Sequence, residues 1–466
     1  MNLTLKESCR LYPAAAPTNK VLDLDFLIQK RRKMAVASKS VLLHLDDLVH
    51  SNSYLEWAPI IVSNCLHGMD KRAAPCVKEA HKTNLVEAQE LMYPPFRLKL
   101  PSFSNLLMKA EWVSRCQHYD DTHITKNEEW AEYPSFTGQN MVFLNAPYQG
   151  EPRPDVWSPY ACMGQNVSYA SFLRNMTSNV TNTANKTSVE TLVVATSPDS
   201  WSFQHFLDRV AVVWSQAQLV IPTIEKNDTI IVTGSEPRDK IVNDIYTLMV
   251  GQHLHDSKLV FAKRLVFSCR APLIHPFTTQ RITETIFQAL PPTSGASDRN
   301  VILFLSRSIG GVMRNGGRQI LNEFEVYDAI STELNATDRP ERLQYFHLDK
   351  FDGLDDIASF IRDNVKMMIG PHGAAFYNSR FALPRTALIE IIPDPKLFFR
   401  QCFWEQARLL GQDYSAYIGN TKNKNFDLII DDIPSLVQQV LDRLMYLDTS
   451  YRIQDALQHG YQWELE

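Results

Sequence analysis

From about residue 190 the chain keeps switching its apolar period, short β-branched runs giving way to longer helical stretches and back again. Thr191-Leu-Val-Val-Ala-Thr reads as a strand and 203–216 as an amphipathic helix. Thr229-Ile-Ile-Val-Thr is another strand, 237–250 a helix with proline in its first turn, and 258–267 one or two strands. Pro291-Pro-Thr-Ser-Gly-Ala-Ser-Asp is the best linker in the chain. Beyond it, strands are expected at 301–305, 343–348, 365–369 and 386–392, with helices at 318–334, 354–364, 396–410 and 433–447. Such alternation makes a parallel sheet covered by helices on both faces. The fold class is therefore α/β, with two Rossmann-like modules flanking one linker and facing a cleft. Ligands of such sheets bind at the carboxyl ends of the strands.

Residues 1–150 lack this regularity, with scattered aromatics and prolines at 94, 95, 101, 134 and 147. The expected organisation is an irregular N-terminal region (1–150) packing on the first module (151–290), a linker (291–299) and a second module (300–466). The last helix of the second module could cross back to the first. A chain of 466 residues accommodates this comfortably.

Composition removes several functions. With 47 basic and 52 acidic residues there is no concentrated basic face for nucleic acid, and Lys30-Arg31-Arg32-Lys33 reads as a solvated cluster. No run approaches the roughly 18 apolar residues of a membrane span, and the opening Met-Asn-Leu-Thr-Leu-Lys-Glu lacks the apolar core of a secretory signal. Seven cysteines, none in a Cys-x-x-Cys pair, fix no redox compartment, and no histidine–carboxylate cluster has metal-ligand spacing. Asn-x-Ser/Thr sequons begin at Asn2, Asn166, Asn175, Asn179, Asn185, Asn227 and Asn335, against about three expected by chance. Two readings stay open: a lumenal glycoprotein whose anchor lies outside these residues, or a cytosolic protein with accidental sequons.

Three segments could carry chemistry. Ile369-Gly370-Pro371-His372-Gly373-Ala374-Ala375 runs from a strand through a glycine turn into a helix of small residues. There a backbone can approach an anion and His372 can donate to a phosphate oxygen. Alone, the segment is more often a tight turn with a packing histidine. Leu305-Ser306-Arg307 ends the preceding strand, followed by the glycine pairs 310–311 and 316–317 around Arg314, then by Arg318, Asn322 and Glu323. Arginine suits bidentate phosphate contact, although a structural ion pair is the commoner use. Glu390 lies inside a strand, where a carboxylate is costly unless paired or facing a site, such as a ribose hydroxyl. In Ser200–Asp208, His205 and Asp208 stand three apart on a helix, as a general base and a carboxylate that orients it or shares the role.

In order and spacing, these segments resemble glycosyltransferase family 61. The matching residues are Trp201 with His205-Phe-Leu-Asp208, Leu305-Ser-Arg307 with Arg318 and Asn322-Glu323, Gly370-Pro-His372-Gly373-Ala374, Phe381-Ala-Leu-Pro384 with Leu388-Ile-Glu390-Ile, and Ala407 through Tyr414. The resemblance covers about 190–420. It departs from the family at Phe203-Gln204, where small polar residues are usual. It implies a GT-B architecture and an inverting transfer from a nucleotide-sugar, usually a UDP-sugar, to a glycan or glycoprotein hydroxyl in the Golgi or endoplasmic reticulum lumen. GlcNAc- and xylosyltransferases are among its members. By position, Arg307, Arg318, Asn322, His372, Gly373, Ala374 and Glu390 would belong to the donor, and His205 and Asp208 to catalysis on the acceptor. No metal would be required. The alternative is a non-catalytic nucleotide- or glycan-binding protein that keeps the fold.

Overall fold

A computed structural model of the chain describes residues 10–11, 58–63, 87–116, 123–124, 129–133, 136–149, 187–195, 200–233, 236–255, 259–268, 275–292, 299–309, 317–393 and 402–460. They fall into two compact α/β units, the first drawn from 1–42, 52–96 and 134–289, the second mainly from 97–133 and 290–466.

The first unit is built on an eight-stranded sheet. Its strands are β1 (Arg10–Leu11), β2 (Ile60–Ser63), β3 (Glu87–Tyr93), β8 (Phe136–Gln149), β9 (Thr187–Val194), β10 (Thr229–Val232), β11 (His253–Leu254) and β12 (Leu259–Ser268), in the order β1-β2-β3-β8-β12-β9-β10-β11. The β12-β9-β10-β11 half is parallel. Leu192, Val193, Val194, Ile231 and Val232 are buried there, the continuous apolar run that a strand covered on both faces needs.

A helical segment, α2, joins β9 to β10 as Phe203–His205, a π-turn at Phe206–Val210 and Ala211–Val220. Helix α3 (Lys240–Val250) is capped by Asp239, which accepts from Val242 N–H at 3.1 Å, and ends at Gly251 with φ 74°. Helix α4 (Pro276–Ala289) follows β12. Its N-terminus is fixed by buried His275. Nε2–H donates to the Pro94 carbonyl at 3.1 Å and Nδ1 accepts Phe277 N–H at 3.2 Å, with Tyr93 and Phe96 edge-on to the ring.

The second unit is built on a sheet whose main part is wholly parallel. Strands β13 (Val301–Phe304), β14 (Arg342–Tyr345), β15 (Val365–Pro371), β16 (Ala387–Pro393) and β17 (Asp413–Thr421) are parallel in the order β14-β13-β15-β16-β17. The short β5 (Ser102–Phe103) adds alongside β17 in parallel, and β18 (Leu428–Ile429) adds antiparallel. A separate small sheet holds β4 (Phe96–Lys99), β6 (His123–Ile124) and β7 (Trp130–Tyr133). Helix α1 (Leu106–Cys116) precedes β6, and α5 (Glu323–Ala336), α6 (Leu354–Asn364), α7 (Cys402–Leu409) and α8 (Ile433–Gly460) surround the main sheet. Ile302, Phe304, Ile369, Ile389, Val326, Ile330, Leu436 and Val440 meet in one core, each burial contributing about 1.5–3 kcal/mol before entropy.

Three expectations change. The helix expected over 318–334 starts only at Glu323. Gly317 and Arg318 are left-handed (φ 89° and 63°), and Leu321 N–H bonds the Leu428 carbonyl, so the backbone is held out of a helix. The region read as irregular supplies β3 and β8 to the first sheet and β5 to the second. The apolar residues of β3 bunch at its end (Leu91-Met-Tyr93) instead of alternating, so they carry no period-2 signal. Strand β17 was not expected, because Asp413 and Ser415 interrupt its apolar pattern. Both are buried here, Asp413 between Arg408 and Arg443.

Candidate functional site

Each unit has a place where its strand order reverses. In the second, β13 leads through α5 to β14 on one side, and β14 leads through α6 to β15 on the other. The carboxyl ends of β13 and β15 therefore border a switch point, the usual ligand crevice of an open α/β sheet. Arg307 follows β13 there, and His372, Gly373 and Ala374 follow β15.

These residues are built into one another. The Arg307 Nε–H donates to the Gly317 carbonyl at 2.7 Å. Gly317 must be glycine, since a Cβ would lie 1.8 Å from the Asn425 carbonyl oxygen. A Cβ on Gly373 would come within 2.7 Å of Arg307 Nη1, so this glycine leaves room for the guanidinium. A Cβ on Gly370 would meet the Leu305 carbonyl oxygen at 2.5 Å, so glycine also sets how closely β13 and β15 approach. Burial, reinforced by the charge of Arg318 and opposed by Asp427, brings the Arg307 pKa down to about 10. The crevice thus carries two clustered cations, which invites an anion.

His372 is almost fully buried, tilted against the Phe403 ring at 4.9 Å. Its Nδ1–H donates to Glu390 Oε1, and the Tyr414 hydroxyl donates to Glu390 Oε2. Glu390 is 0% exposed, so these two partners are what make a mid-strand carboxylate tolerable. The Nδ1 contact with Glu390 fixes how the His372 ring is turned at the end of β15. The following turn of 3₁₀-helix, Ala374–Phe381, begins with backbone N–H groups that have no partner inside the helix. Ala374 is exposed and Gly373 buried.

Arg318 lies half-buried beside Arg307, whereas Asn322 turns elsewhere. Its amide donates to the Ile430 carbonyl (3.0 Å) and accepts the Ile430 N–H (3.1 Å), clamping the β18 segment. Arg314 and glycines 310, 311 and 316 lie outside the described residues, as do Asn166, Asn175, Asn179 and Asn185. Asn227 and Asn335 are exposed.

The first unit reverses between β9 and β12, because β10 and β11 extend one way from β9 and β12 lies on the other side. After β9, Ser202 caps α2 by accepting the His205 N–H at 3.4 Å. His205 is half-buried, and Asp208, 8% exposed, sits in the π-turn, a helical irregularity frequent at functional sites. Tyr246 holds the loop by donating to the Ser200 carbonyl at 2.6 Å, and Arg238 lies over the Trp201 ring.

At the carboxyl end of β12, Ser268, Asn140 and Gln89 form a buried row in register across three strands. Ser268 Oγ–H donates to Gln216 Oε1 (2.7 Å), whose amide donates to Tyr93 (3.0 Å).

The structure thus brings Arg307, Arg318, His372 and Gly373 to one switch point, with Glu390 behind His372, and His205 with Asp208 to the other unit's loop. Sequence reasoning missed Tyr414 as the second partner of Glu390. Register carries the signal: Tyr414 pairs with Leu388, two residues before Glu390 on the same face. Among the described residues, no three His, Cys, Asp or Glu side chains gather as a metal site, and no helix is long and apolar enough to cross a membrane. Residues 203–389 match the family model described as Glycosyltransferase 61. No curated protein matches the chain.

Proposed function

Residues 203–389 belong to glycosyltransferase family 61, and from that premise we propose that the chain is an inverting GT-B enzyme. It would move a sugar from a nucleotide-sugar, a UDP-sugar by family habit, to a hydroxyl of a glycan or glycoprotein. GlcNAc and xylose are the first donors to try. One observation carries the reading: Arg307, seated against Gly373, shares a switch point with His372 on the neighbouring strand. That is a cradle for a diphosphate.

In the reaction the acceptor hydroxyl loses its proton to a base as its oxygen bonds the anomeric carbon. The bond from that carbon to the diphosphate breaks on the opposite face, which inverts the configuration. His205 would take the proton, oriented by Asp208 or sharing the role with it. The charge growing on the leaving diphosphate would be met by Arg307, Arg318, His372 and the N–H groups after Gly373, so the residues themselves can do what a metal otherwise does. Glu390 and Tyr414 would fix the orientation of His372, and Asn322 the loop that holds Arg318. The exposed sequons at Asn227 and Asn335 support a site of action in the Golgi or endoplasmic reticulum lumen.

The test is incubation of purified chain with a panel of UDP-sugars. Slow donor hydrolysis, abolished by Arg307→Ala and by His372→Ala, is expected. Nucleotide binding without turnover across the panel would instead make the chain a binding protein that keeps the fold.

A further inference from the structure

Glu323 has no task in this scheme, yet it stands at the same crevice. It opens α5 and is 3% exposed. Its Oε1 accepts the Ser306 hydroxyl at 2.6 Å, while Ser306 Oγ accepts the N–H groups of Ser308 (2.9 Å) and Ile309 (2.8 Å). Its Oε2 is buried and has no hydrogen-bond partner among the described residues.

Tyr345, at the end of β14, is in the complementary condition: its hydroxyl is buried and likewise has no partner there. The ring is fixed, stacked on Tyr327 with centroids 4.4 Å apart at 8°, with Phe304 edge-on to both rings. Tyr327 in turn donates to the Leu343 carbonyl at 3.0 Å. Glu323 and Tyr345 sense each other, since the carboxylate's charge adds to the burial that pushes the Tyr345 phenol up to about 12. They do not bond.

A buried acceptor and a buried donor, neighbours without a bond, leave two costs that one bridging group would remove. That group must donate to a carboxylate and accept from a phenol, which a hydroxyl does. The anionic diphosphate is unsuited to a place beside Glu323. Ser306 adjoins Arg307 in the chain, so the group bound here is covalently close to the phosphates. The transferred sugar must remain open to an acceptor, whereas this position is walled by the second unit's own aromatic core.

Resting on the nucleotide-sugar reading, we propose that Glu323 and Tyr345 bracket a ribose hydroxyl of the donor. They would then be binding residues that select a ribonucleotide.

The test is calorimetric titration of UDP, 2′-deoxy-UDP and 3′-deoxy-UDP into the wild-type chain, Glu323→Gln and Tyr345→Phe. One deoxy analogue should bind the wild type about tenfold more weakly than UDP, the value of one hydrogen bond to a charged group. Glu323→Gln should bind UDP and that analogue alike, and Tyr345→Phe should narrow the difference. Both variants keep side-chain volume, and thermal unfolding at or above the wild-type temperature verifies that they fold. Equal discrimination in wild type and Glu323→Gln, or none in the wild type, would mean that the pair holds only an internal water and would overturn the inference while leaving the transferase reading intact. If UDP-sugars are turned over but 2′- and 3′-deoxygenation are both tolerated, the inference alone fails. If no nucleoside diphosphate binds the wild type, both readings fall together.

Discussion

Both units have a switch point in the parallel part of their sheet, and they differ in what it carries. Each places a strand end on either side of a switch point, β9 and β12 in the first unit, β13 and β15 in the second. The second furnishes that place with two clustered arginines, a histidine fixed by a buried carboxylate, and glycines where backbone and guanidinium must come close. The first furnishes it with neutral amides and hydroxyls, and keeps one histidine and one carboxylate on the adjoining helix. A parallel sheet decides where a ligand can sit, and the residues at its carboxyl edge decide which. A diphosphate needs cations. A sugar hydroxyl needs a base and hydrogen-bonding groups.

That contrast can be broken in several ways. The largest effect belongs to Arg307→Ala and His372→Ala. Each should lower turnover by about 10²–10³, the usual cost of losing one donor to a developing negative charge. Assays of donor hydrolysis check it, and a change under threefold would remove the cradle from the mechanism. The glycines of the same crevice should then separate structure from binding. Gly370→Ala drives a Cβ against the backbone oxygen of Leu305 and should lower stability by roughly 1–3 kcal/mol. Gly373→Ala meets only the end of the Arg307 side chain, at an extended backbone that any residue adopts. It should unfold near the wild-type temperature yet bind nucleotide several-fold more weakly. The reverse ranking would mean that Gly373 serves the fold.

Acid should separate the units. Burial brings the His275 pKa down to about 3, against about 6.5 when unfolded. The unfolded state therefore binds more protons between those values. The first unit should begin to lose stability as pH falls below 6.5, by up to about 1.4 kcal/mol per pH unit. His275→Gln should remove that slope, as denaturant titration at pH 7 and pH 5 would reveal.

In the second unit Arg339 and Lys366 grip Glu341 and Asp448 at 2.6–2.9 Å. Burial alone would raise both carboxyl pKa values, but the paired cations outweigh it and both are lowered. Their stabilisation is complete above the ordinary carboxylate range and is lost only as pH falls below about 4. Unfolding monitored at pH 5 should therefore start in the first unit, and simultaneous loss would contradict this difference.

The smallest effect concerns Glu323, whose pKa burial raises despite the Ser306 hydrogen bond. Its ionisation weighs against the folded state as pH climbs past the ordinary glutamate value, so Glu323→Gln should gain a degree or two in Tm at pH 7 and nothing at pH 4.

Much of the second unit was legible because its strands are uniformly apolar and its helices periodic. Val301–Phe304, Leu354–Asn364 and Val365–Pro371 lie within two residues of their expected limits. What escaped was long-range. The pairing of 317–321 against 425–430 cancels a helical turn that local sequence favours. Strands β3 and β8 gain their place from a sheet assembled by distant segments. Of the candidate site, the placement of 307, 372 and 373 just beyond the ends of β13 and β15 was legible, because both strands are apolar runs. The roles behind them were not. Glu390 could be read as a ribose ligand from its position in a strand, and only the side-chain contacts across the folded sheet show both its oxygens turned to His372 and Tyr414.

The central claim, that the second unit holds the nucleotide while the first supplies the base, meets its most direct test in a paired measurement of UDP affinity and sugar transfer. Arg307→Ala should lose both. His205→Ala should bind UDP as the wild type does and transfer nothing. Loss of UDP binding in His205→Ala, with Arg307→Ala binding normally, would contradict the account.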